Sequence, residues 1–274
     1  MLKLSFITAT YNRKDLLTDS LRSAIACWKT GAADCEFIVI DDCSSDGTLE
    51  SLRQNFGQLI VSGVIRVERL ERNQGVTAAR NRGVQLARYD WIVFLDSDDT
   101  FIAENFAACV AEIARFPSYD AFFFRCRDHA SGTLVGPQRT EPYALDLRGF
   151  LRDGTPGESP IVVRREILLK YPFDPDLRGF EGLTYARVLK DIGSALVSPQ
   201  ILRNYDQNDS RSRLSSRAGI RSRAALLAKG YVRMLSEFFW ELPALKRART
   251  VVAIAYYSAL SISKGPNRTE GATR

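Results

Sequence analysis

The sequence predicts an α/β protein with a mostly parallel sheet, and two observations support this. Short apolar segments alternate with helix-like segments of about 10–15 residues, as they do in βαβ units. Apolar segments also end in polar clusters, at Thr8–Thr10, Asp41–Asp42 and Asp96–Asp99. Because ligands bind beyond the carboxyl ends of parallel strands, we expect these clusters to meet at one edge of the sheet.

The elements of the first part of the chain follow from hydrophobic spacing. Leu17, Leu21 and Ile25 recur at helical spacing, whereas Phe37–Ile40 is a continuous apolar run typical of a buried strand. The predicted strands are Leu4–Thr10, Glu36–Asp42, Ile60–Leu70 and Asp90–Leu95. The predicted helices are Asp15–Trp28, Thr48–Phe56 and Asn73–Ala87.

The second part of the chain is less regular. Strands are predicted at Asp120–Arg125, at Ile161–Val163 and, as an edge strand, at Ala195–Val197. Residues 130–160 are rich in Gly and Pro and are predicted as loops with a short helix near Leu145–Leu151. The other predicted helical segments are Phe101–Phe116, Glu166–Lys170 and Glu181–Ile192.

A basic C-terminal extension follows the α/β part. We expect one α/β domain over residues 1–205 and an amphipathic helical extension over 206–274, whose tail from about residue 265 is disordered. One long helix is predicted over Ala218–Leu242, and Pro243 separates it from a second apolar segment, Val251–Ile262. That second segment is too short to span a bilayer.

Net charge narrows the choice of partners. The chain of 274 residues has a net charge of +6, and from residue 201 onward there are 14 Lys and Arg against 5 Asp and Glu. Such a segment suits nucleic acid, an anionic membrane surface or a phosphorylated substrate. The sequence has no helix-turn-helix, RNP or zinc-finger signature, so nucleic acid is not expected as a partner.

Cysteine usage and the N-terminus predict the compartment. The five cysteines form no CxxC pair, and the single histidine cannot complete a Cys/His zinc site. The first residues lack the basic region and cleavage site of a signal peptide. We therefore expect a cytoplasmic protein, which the basic extension would place peripherally at the inner face of a membrane.

The triplet Asp96-Ser97-Asp98 is the first candidate for chemistry. It follows a buried strand, and a turn at a strand end can direct two carboxylates to one cation. Carboxylates suit Mg²⁺ or Mn²⁺, which complete their ligand shell with phosphate oxygens. The alternative is a solvated acidic turn or a helix cap.

Two further features lie near the same predicted edge. Asp41 and Asp42 could accept hydrogen bonds from a ribose or a base, or could cap the turn through Ser44 and Ser45. Arg80 lies on a helix behind the edge, and its guanidinium matches phosphate geometry. A surface arginine without a ligand is the alternative.

Four segments together strongly resemble the successive signatures of family 2 glycosyltransferases with the GT-A fold. The segments are Phe6–Arg13, Val39–Thr48, Asn73–Gly83 and Phe94–Asp99. The resemblance covers roughly residues 1–200. It implies a three-layer α/β/α sandwich and an inverting transfer from a nucleotide-diphosphate sugar with Mn²⁺ or Mg²⁺. Residues 1–100 would form the nucleotide-sugar half and residues 101–205 the acceptor half.

The resemblance also assigns roles by position. It implies that Asp98 is the main metal ligand, that Asp96 faces the ribose or the metal-bound water, that Asp42 contacts the base and that Arg80 lies near the diphosphate. The residues that it places in the nucleotide-sugar site are Thr8, Ala9, Thr10, Tyr11, Arg13, Asp41, Asp42, Arg80, Asp96 and Ser97.

Inversion needs a carboxylate that deprotonates the acceptor hydroxyl. Family members commonly carry this base in a Glu-Asp pair that opens a helix. Here the pair is replaced by Phe180-Glu181, so Glu181 occupies the position of the base. The alternatives are that Glu181 only favours the helix N-terminus, or that Asp174 or Asp176 is the base.

The acceptor and the role of the extension stay open in the sequence. The resemblance favours a UDP-sugar donor and a glycan or lipid-linked acceptor in surface polysaccharide synthesis. The C-terminal helices either pack on the catalytic domain or lie on an anionic membrane surface. Arginines could instead bind an acceptor phosphate; they are Arg203, Arg211 and Arg213.

Two rival functions are also compatible with the sequence. A sugar nucleotidyltransferase would need a Gly-rich N-terminal loop with a basic residue, and Thr8–Tyr11 offers none. A catalytically degenerate subunit that only binds nucleotide sugar is the second rival, because the base motif departs from the family pattern.

Overall fold

The computed structural model describes residues 1–205 and 217–262. The chain divides into two compact units, Met1–Asn208 and Asp209–Arg274. The predicted tail from about residue 265 and the first residues of the predicted extension, 206–216, lie outside the described residues.

The first unit alternates strands and helices along most of its length. Its strands are β1 Lys3–Thr10, β2 Asp34–Asp41, β3 Ile65–Arg69, β4 Trp91–Phe94, β5 Thr100–Phe101, β6 Ala121–Asp128, β7 Tyr143–Asp146, β8 Ile161–Arg164 and β9 Ser194–Tyr205. Its helices are α1 Lys14–Lys29, α2 Thr48–Val61, α3 Val76–Leu86, α4 Ala103–Arg115, α5 Leu147–Asp153, α6 Arg165–Lys170 and α7 Gly182–Ile192.

One mixed sheet runs through this unit in the order β3-β2-β1-β4-β8-β6-β9-β5, and β7 also pairs with β9. The four strands β3, β2, β1 and β4 are parallel, as predicted for the first part of the chain. β8 runs antiparallel to β4 and β6, and β6 is parallel to β9. The chain leaves β1 to one side for β2 and β3 and returns to its other side for β4. In sheets with such a reversal, ligands bind at the point where it occurs, which here is the carboxyl ends of β1 and β4.

Both faces of the sheet are covered by helices. On one face Phe6 of β1 packs against Phe37, Phe101 and Phe106, with ring centroids 5.2–6.1 Å apart. On the other face α3 lies so close to β1 that a Cβ on Gly83 would overlap the side chain of Ile7. The glycine therefore sets the distance between α3 and the sheet.

Several predicted elements need correction. Ala195–Val197 was expected to be an edge strand, but it belongs to the 12-residue β9, which has β6, β5 and β7 as partners. The third strand was predicted from Ile60, whereas α2 continues to Val61 and β3 begins at Ile65. The short strands β5 and β7 were not predicted, because each is defined by its antiparallel pairing with the distant β9.

The second unit contains α8 Arg217–Ser222, α9 Ala224–Phe238 and α10 Ala244–Ile262. The prediction of one long helix was wrong, because the backbone leaves the helical region at Arg223 (φ −108°, ψ 14°). The Ser222 hydroxyl bonds back to the carbonyl of Gly219 at 2.8 Å, a contact that competes with helix continuation. α9 and α10 pack on each other, and the rings of Tyr231 and Tyr257 stack at 5.7 Å.

Within the described residues, every helix is too short or too polar to cross a membrane.

We predict that Gly83→Ala lowers the free energy of unfolding by about 1–3 kcal/mol, because the added methyl group must push α3 away from Ile7. Gly57→Ala in α2 is the matched control, since a Cβ there meets nothing within 4 Å. The control should be stabilised by up to about 1 kcal/mol through helix propensity. Urea denaturation of both variants measures the difference, and equal stabilities would contradict the close packing.

Candidate functional site

The loops after β1 and β2 are tied together by Asn12, whose backbone is left-handed (φ 51°). Its side-chain oxygen accepts a hydrogen bond from the backbone N–H of Ser45 at 2.8 Å, and its own N–H donates to Ser44 Oγ at 2.9 Å. Thr10 is buried at the end of β1, and its Oγ1 has no hydrogen-bond partner among the described residues. Tyr11 is exposed on the same loop.

The predicted base-contacting carboxylates hold the loops of this edge. Asp42 is buried and accepts hydrogen bonds from the backbone N–H groups of Gln74 and Gly75, both at 2.7 Å. It thereby fixes the N-terminus of α3 to the end of β2. Asp41 accepts from the N–H of Ser44 at 3.2 Å and lies 3.7 Å from Arg69 Nε. Their contact with a nucleotide base stays a prediction.

Asp96 lies between two guanidinium groups. One carboxylate oxygen pairs with Arg80 of α3, and the other lies 3.4 Å from Nη1 of Arg203 of β9. Burial alone would raise the pKa of Asp96, but the two arginines hold it below its ordinary value. Asp96 is therefore ionised and oriented by protein groups. Its role as a metal ligand stays a prediction.

Arg80 joins Asp96 to the predicted base. Its Nη1 lies 3.7 Å from Glu181 Oε1. Its guanidinium carbon lies over the rings of Phe94 and Phe173, 5.3 and 5.9 Å from the two ring centres. The same Oε1 accepts a hydrogen bond from the N–H of Gly179 at 3.3 Å. Glu181 precedes α7 but makes no side-chain capping bond to it, so hydrogen-bonded capping does not explain this residue.

Asn81 fixes the segment before Glu181 to α3. Its side-chain amide donates to the carbonyl of Phe173 at 2.8 Å and accepts from the N–H of the same residue at 2.9 Å. The sequence motif that includes Arg80 also includes Asn81, but this bridging role needs a partner far along the chain. Of the other candidate bases, Asp174 forms an ion pair with Arg187 at 2.8 Å.

Asp98 is more accessible than Asp96. Its side chain is 45% exposed and lies 4.0 Å from Nη2 of Arg13, which follows β1. Burial and the neighbouring Asp96 raise the pKa of Asp98. Ser97 is buried between the two aspartates. Among residues 1–205 and 217–262, no three His, Cys, Asp or Glu side chains form a complete metal-binding cluster.

Arg203 is the principal site residue whose position was not foreseen. In addition to its contact with Asp96, Arg203 lies with its Nη1 2.9 Å from Asp99 Oδ2, and its Nε donates a hydrogen bond to Cys126 Sγ at 3.3 Å. Its Nη2 lies 3.8 Å from Glu158 Oε2. Burial raises the pKa of Asp99 to about 7, although Arg203 opposes the shift. The sequence offered one signal, a charged residue inside an apolar strand. The expected acceptor-phosphate role placed Arg203 with Arg211 and Arg213, which lie outside the described residues.

Comparison with protein families gives a match over more than half of the chain. The model of "Glycosyl transferase family 2" matches residues 5–167. An uncharacterized glycosyltransferase of Haemophilus influenzae is 27% identical over 170 residues, which cover 61% of this chain and 54% of that protein. The succinoglycan biosynthesis protein ExoO of Rhizobium meliloti is 37% identical over 97 residues, which cover 35% of this chain and 26% of that protein. The chain thus spans about half or less of the length of these curated relatives.

Solved structures share the fold. TarS residues 1–349 of Staphylococcus aureus, in complex with UDP-GlcNAc, match with a TM-score of 0.66 at 20% identity over 97% of this chain and 74% of that chain. The mannosyltransferase PcManGT of Pyrobaculum calidifontis, in complex with GDP-Man and Mn²⁺, matches with a TM-score of 0.62 at 17% identity over 96% and 75% of the respective chains. The predicted GT-A-like α/β fold with C-terminal helices is confirmed.

We predict that Arg203→Gln lowers the free energy of unfolding by about 3–5 kcal/mol at about pH 8, because Asp96 and Asp99 both lose their contact with the guanidinium of Arg203. A carboxyl group with a raised pKa destabilises the fold as the pH rises through that pKa. The loss should therefore be smaller at about pH 5.5, where Asp99, with its pKa of about 7, is protonated and needs no cation.

The matched control for Arg203→Gln is Arg53→Gln, which removes an exposed ion pair with Glu50. Its effect should stay below about 1 kcal/mol at both pH values. Urea denaturation of both variants at the two pH values is the measurement. A pH-independent loss for Arg203→Gln, or one no larger than that of the control, would contradict the arrangement.

Proposed function

Since the chain belongs to glycosyl transferase family 2, we propose that it transfers a sugar from a nucleotide-diphosphate donor to a hydroxyl of a glycan or lipid-linked acceptor, with inversion at the anomeric carbon. One observation carries the proposal. Arg80 contacts both Asp96 of the acidic triplet and Glu181, the candidate base, although these residues are far apart in the sequence. The groups proposed for donor binding and for proton transfer are therefore linked by one guanidinium, which supports a transferase site.

The donor is proposed to bind at the carboxyl ends of β1, β2 and β4. A UDP-sugar is favoured, and TarS has been solved with UDP-GlcNAc. Arg13 and Arg80 supply guanidinium groups near Asp98 and Asp96, where a diphosphate would need positive charge. The residues proposed to line the nucleotide-sugar pocket are Thr8, Ala9, Thr10, Tyr11, Arg13, Asp41, Asp42, Arg80, Asp96 and Ser97.

The acidic triplet fits a divalent cation that shares its ligands with the donor. Asp98 offers a half-exposed carboxylate, whereas both oxygens of Asp96 already contact guanidinium groups. Mg²⁺ and Mn²⁺ commonly bind one or two carboxylates and take further oxygens from substrate phosphates. Asp98 would hold the cation, with Asp96 beside it, and the bound cation would stabilise negative charge on the departing diphosphate.

Glu181 is proposed as the base that receives the proton of the acceptor hydroxyl. In the described part of the chain, the contacts of Glu181 with Gly179 and with Arg80 both use Oε1. Oε2 is therefore left to accept a proton, while Oε1 keeps the carboxylate oriented. Arg80 would also hold Asp96 in place as the acceptor approaches.

Surface-polymer synthesis is the proposed setting. The relatives include the succinoglycan biosynthesis protein ExoO and the poly(ribitol-phosphate) beta-N-acetylglucosaminyltransferase TarS. Both names refer to polymers, which favours an extended glycan or polyol acceptor here. The acceptor would bind on the side of residues 101–205, where Glu158 and the loop before β8 adjoin Arg203.

A donor screen tests the proposal. The full chain is incubated with Mn²⁺ and a panel of nucleotide sugars, and release of nucleoside diphosphate is measured. We expect release from one donor, which EDTA and Asp98→Asn abolish and which the exposed control Glu50→Gln leaves unchanged. If no donor releases nucleoside diphosphate, and no nucleotide with Mn²⁺ shifts the thermal unfolding temperature, the proposed activity is overturned.

Glu181→Gln tests the base. We expect kcat to fall by about 10²–10⁴-fold while nucleotide binding persists, because the amide cannot take a proton. Asp174→Asn is the comparison, since Asp174 pairs with Arg187 and should contribute little to the rate. If Glu181→Gln transferred sugar at the wild-type rate, the base assignment would be wrong. Nucleotide binding without turnover by the wild type on any acceptor would favour the binding-only subunit.

A further inference from the structure

The exposed side of α10 is almost entirely apolar. Its exposed positions recur every three or four residues and so lie along one side of the helix. They include Leu245, Val252, Tyr256 and Ile262, with exposed fractions of 58–79%. The other residues on this side are Ala244, Ala248, Arg249, Val251, Ala255 and Ala259. Arg249 is the one charged residue on it within the described part of α10.

This pattern is the reverse of an ordinary surface helix, which exposes polar residues and covers its apolar stripe. Apart from Arg249 and the tyrosines, the polar residues of α10 are only partly exposed or buried: Lys246, Arg247, Thr250, Ser258 and Ser261. An exposed apolar stripe along a 19-residue helix marks a contact surface.

The turn before α10 carries further exposed aromatic side chains beside a basic group. Trp240 is 85% exposed, and its ring meets the ring of Phe239 edge-on at 5.0 Å. The guanidinium of Arg247 lies 4.9 Å from the centre of the Phe239 ring. Tryptophan beside basic residues is typical of the boundary between lipid headgroups and acyl chains.

The net charge of the second unit indicates which kind of partner binds this surface. Residues 217–262 contain eight Lys and Arg against two Asp and Glu, a net charge of +6. Anionic lipid attracts juxtaposed basic residues by about 1 kcal/mol each. A second copy of the same unit would bring like charges together, and nucleic acid would leave the apolar side chains in water.

We propose that α10 and the turn carrying Trp240 dock on the surface of an anionic lipid bilayer. The helix lies in the plane of the interface with Leu245, Val252 and Tyr256 among the acyl chains. This orientation agrees with the absence of a membrane-spanning helix from the described residues. The docking does not depend on the proposed transferase activity.

Vesicle sedimentation of the full chain tests the docking. We expect co-sedimentation with vesicles of phosphatidylcholine mixed with phosphatidylglycerol, weak binding to phosphatidylcholine alone, and weakening with added salt. Val252→Glu should reduce binding to the anionic vesicles at least about tenfold, because it places a carboxylate in the apolar stripe. Val61→Glu is the matched control: Val61 is 89% exposed at the end of α2, so the same change should leave binding unaltered.

The outcomes distinguish lipid docking from misfolding of the variant and from self-association of the chain. Circular dichroism and the midpoint of thermal unfolding establish that the Val252→Glu protein is folded, and both should match the wild type. Docking is overturned if the wild type does not bind anionic vesicles, or if Val252→Glu binds as tightly as Val61→Glu. It is also overturned if the wild type sediments as a dimer that Val252→Glu dissociates without any change in lipid binding. Loss of vesicle binding with unchanged nucleotide release supports docking and leaves the transferase proposal intact.

Discussion

The interaction on which the candidate site depends is the placement of Asp96 between Arg80 and Arg203. A carboxylate that is partly withdrawn from water at a strand end is stabilised by cations and hydrogen-bond donors around it. Arg80 comes from α3 and Arg203 from β9, so the ion pairs connect the acidic turn after β4 to two distant segments. Through Arg80 the network reaches Glu181, and through Arg203 it reaches Asp99 and Glu158. The arginines that balance the charge of Asp96 therefore also connect the segments around the site.

That network requires α3 to lie close to the sheet. Gly83 allows this approach because any larger residue would meet Ile7 of β1. Asp42 fixes the start of the same helix by accepting two backbone hydrogen bonds, and Asn81 fixes the segment that carries Glu181. Features that belong to one sequence motif therefore serve different purposes. Arg80 contributes charge, Asn81 bridges two segments, and Gly83 sets a packing distance.

The two units present different surfaces. The described part of the first unit covers the parallel strands β3, β2, β1 and β4 with helices on both faces, so its apolar residues are largely internal. In the second unit α10 exposes Val252, Tyr256 and Ile262, while most of its polar residues, Arg249 excepted, are less exposed. Burial of α10 in a protein core would account for its apolar side but not for the basic charge of the second unit. Docking on an anionic lipid surface accounts for both. A donor site on one unit and a lipid contact on the other would together suit an acceptor that is held at a membrane.

The sequence by itself determined the alternation of strands and helices, the parallel first half of the sheet and the family, because these depend on local periodicity and on contiguous motifs. It also placed Asp96, Asp98 and the loop after β1 at one edge, since parallel strands end together. Tertiary structure alone decided that Arg203 balances Asp96 and Asp99, and that β9 lies inside the sheet and recruits β5 and β7. The physical reason is distance along the chain: Arg203 and Asp96 are 107 residues apart, and no local pattern specifies which buried charge will meet which.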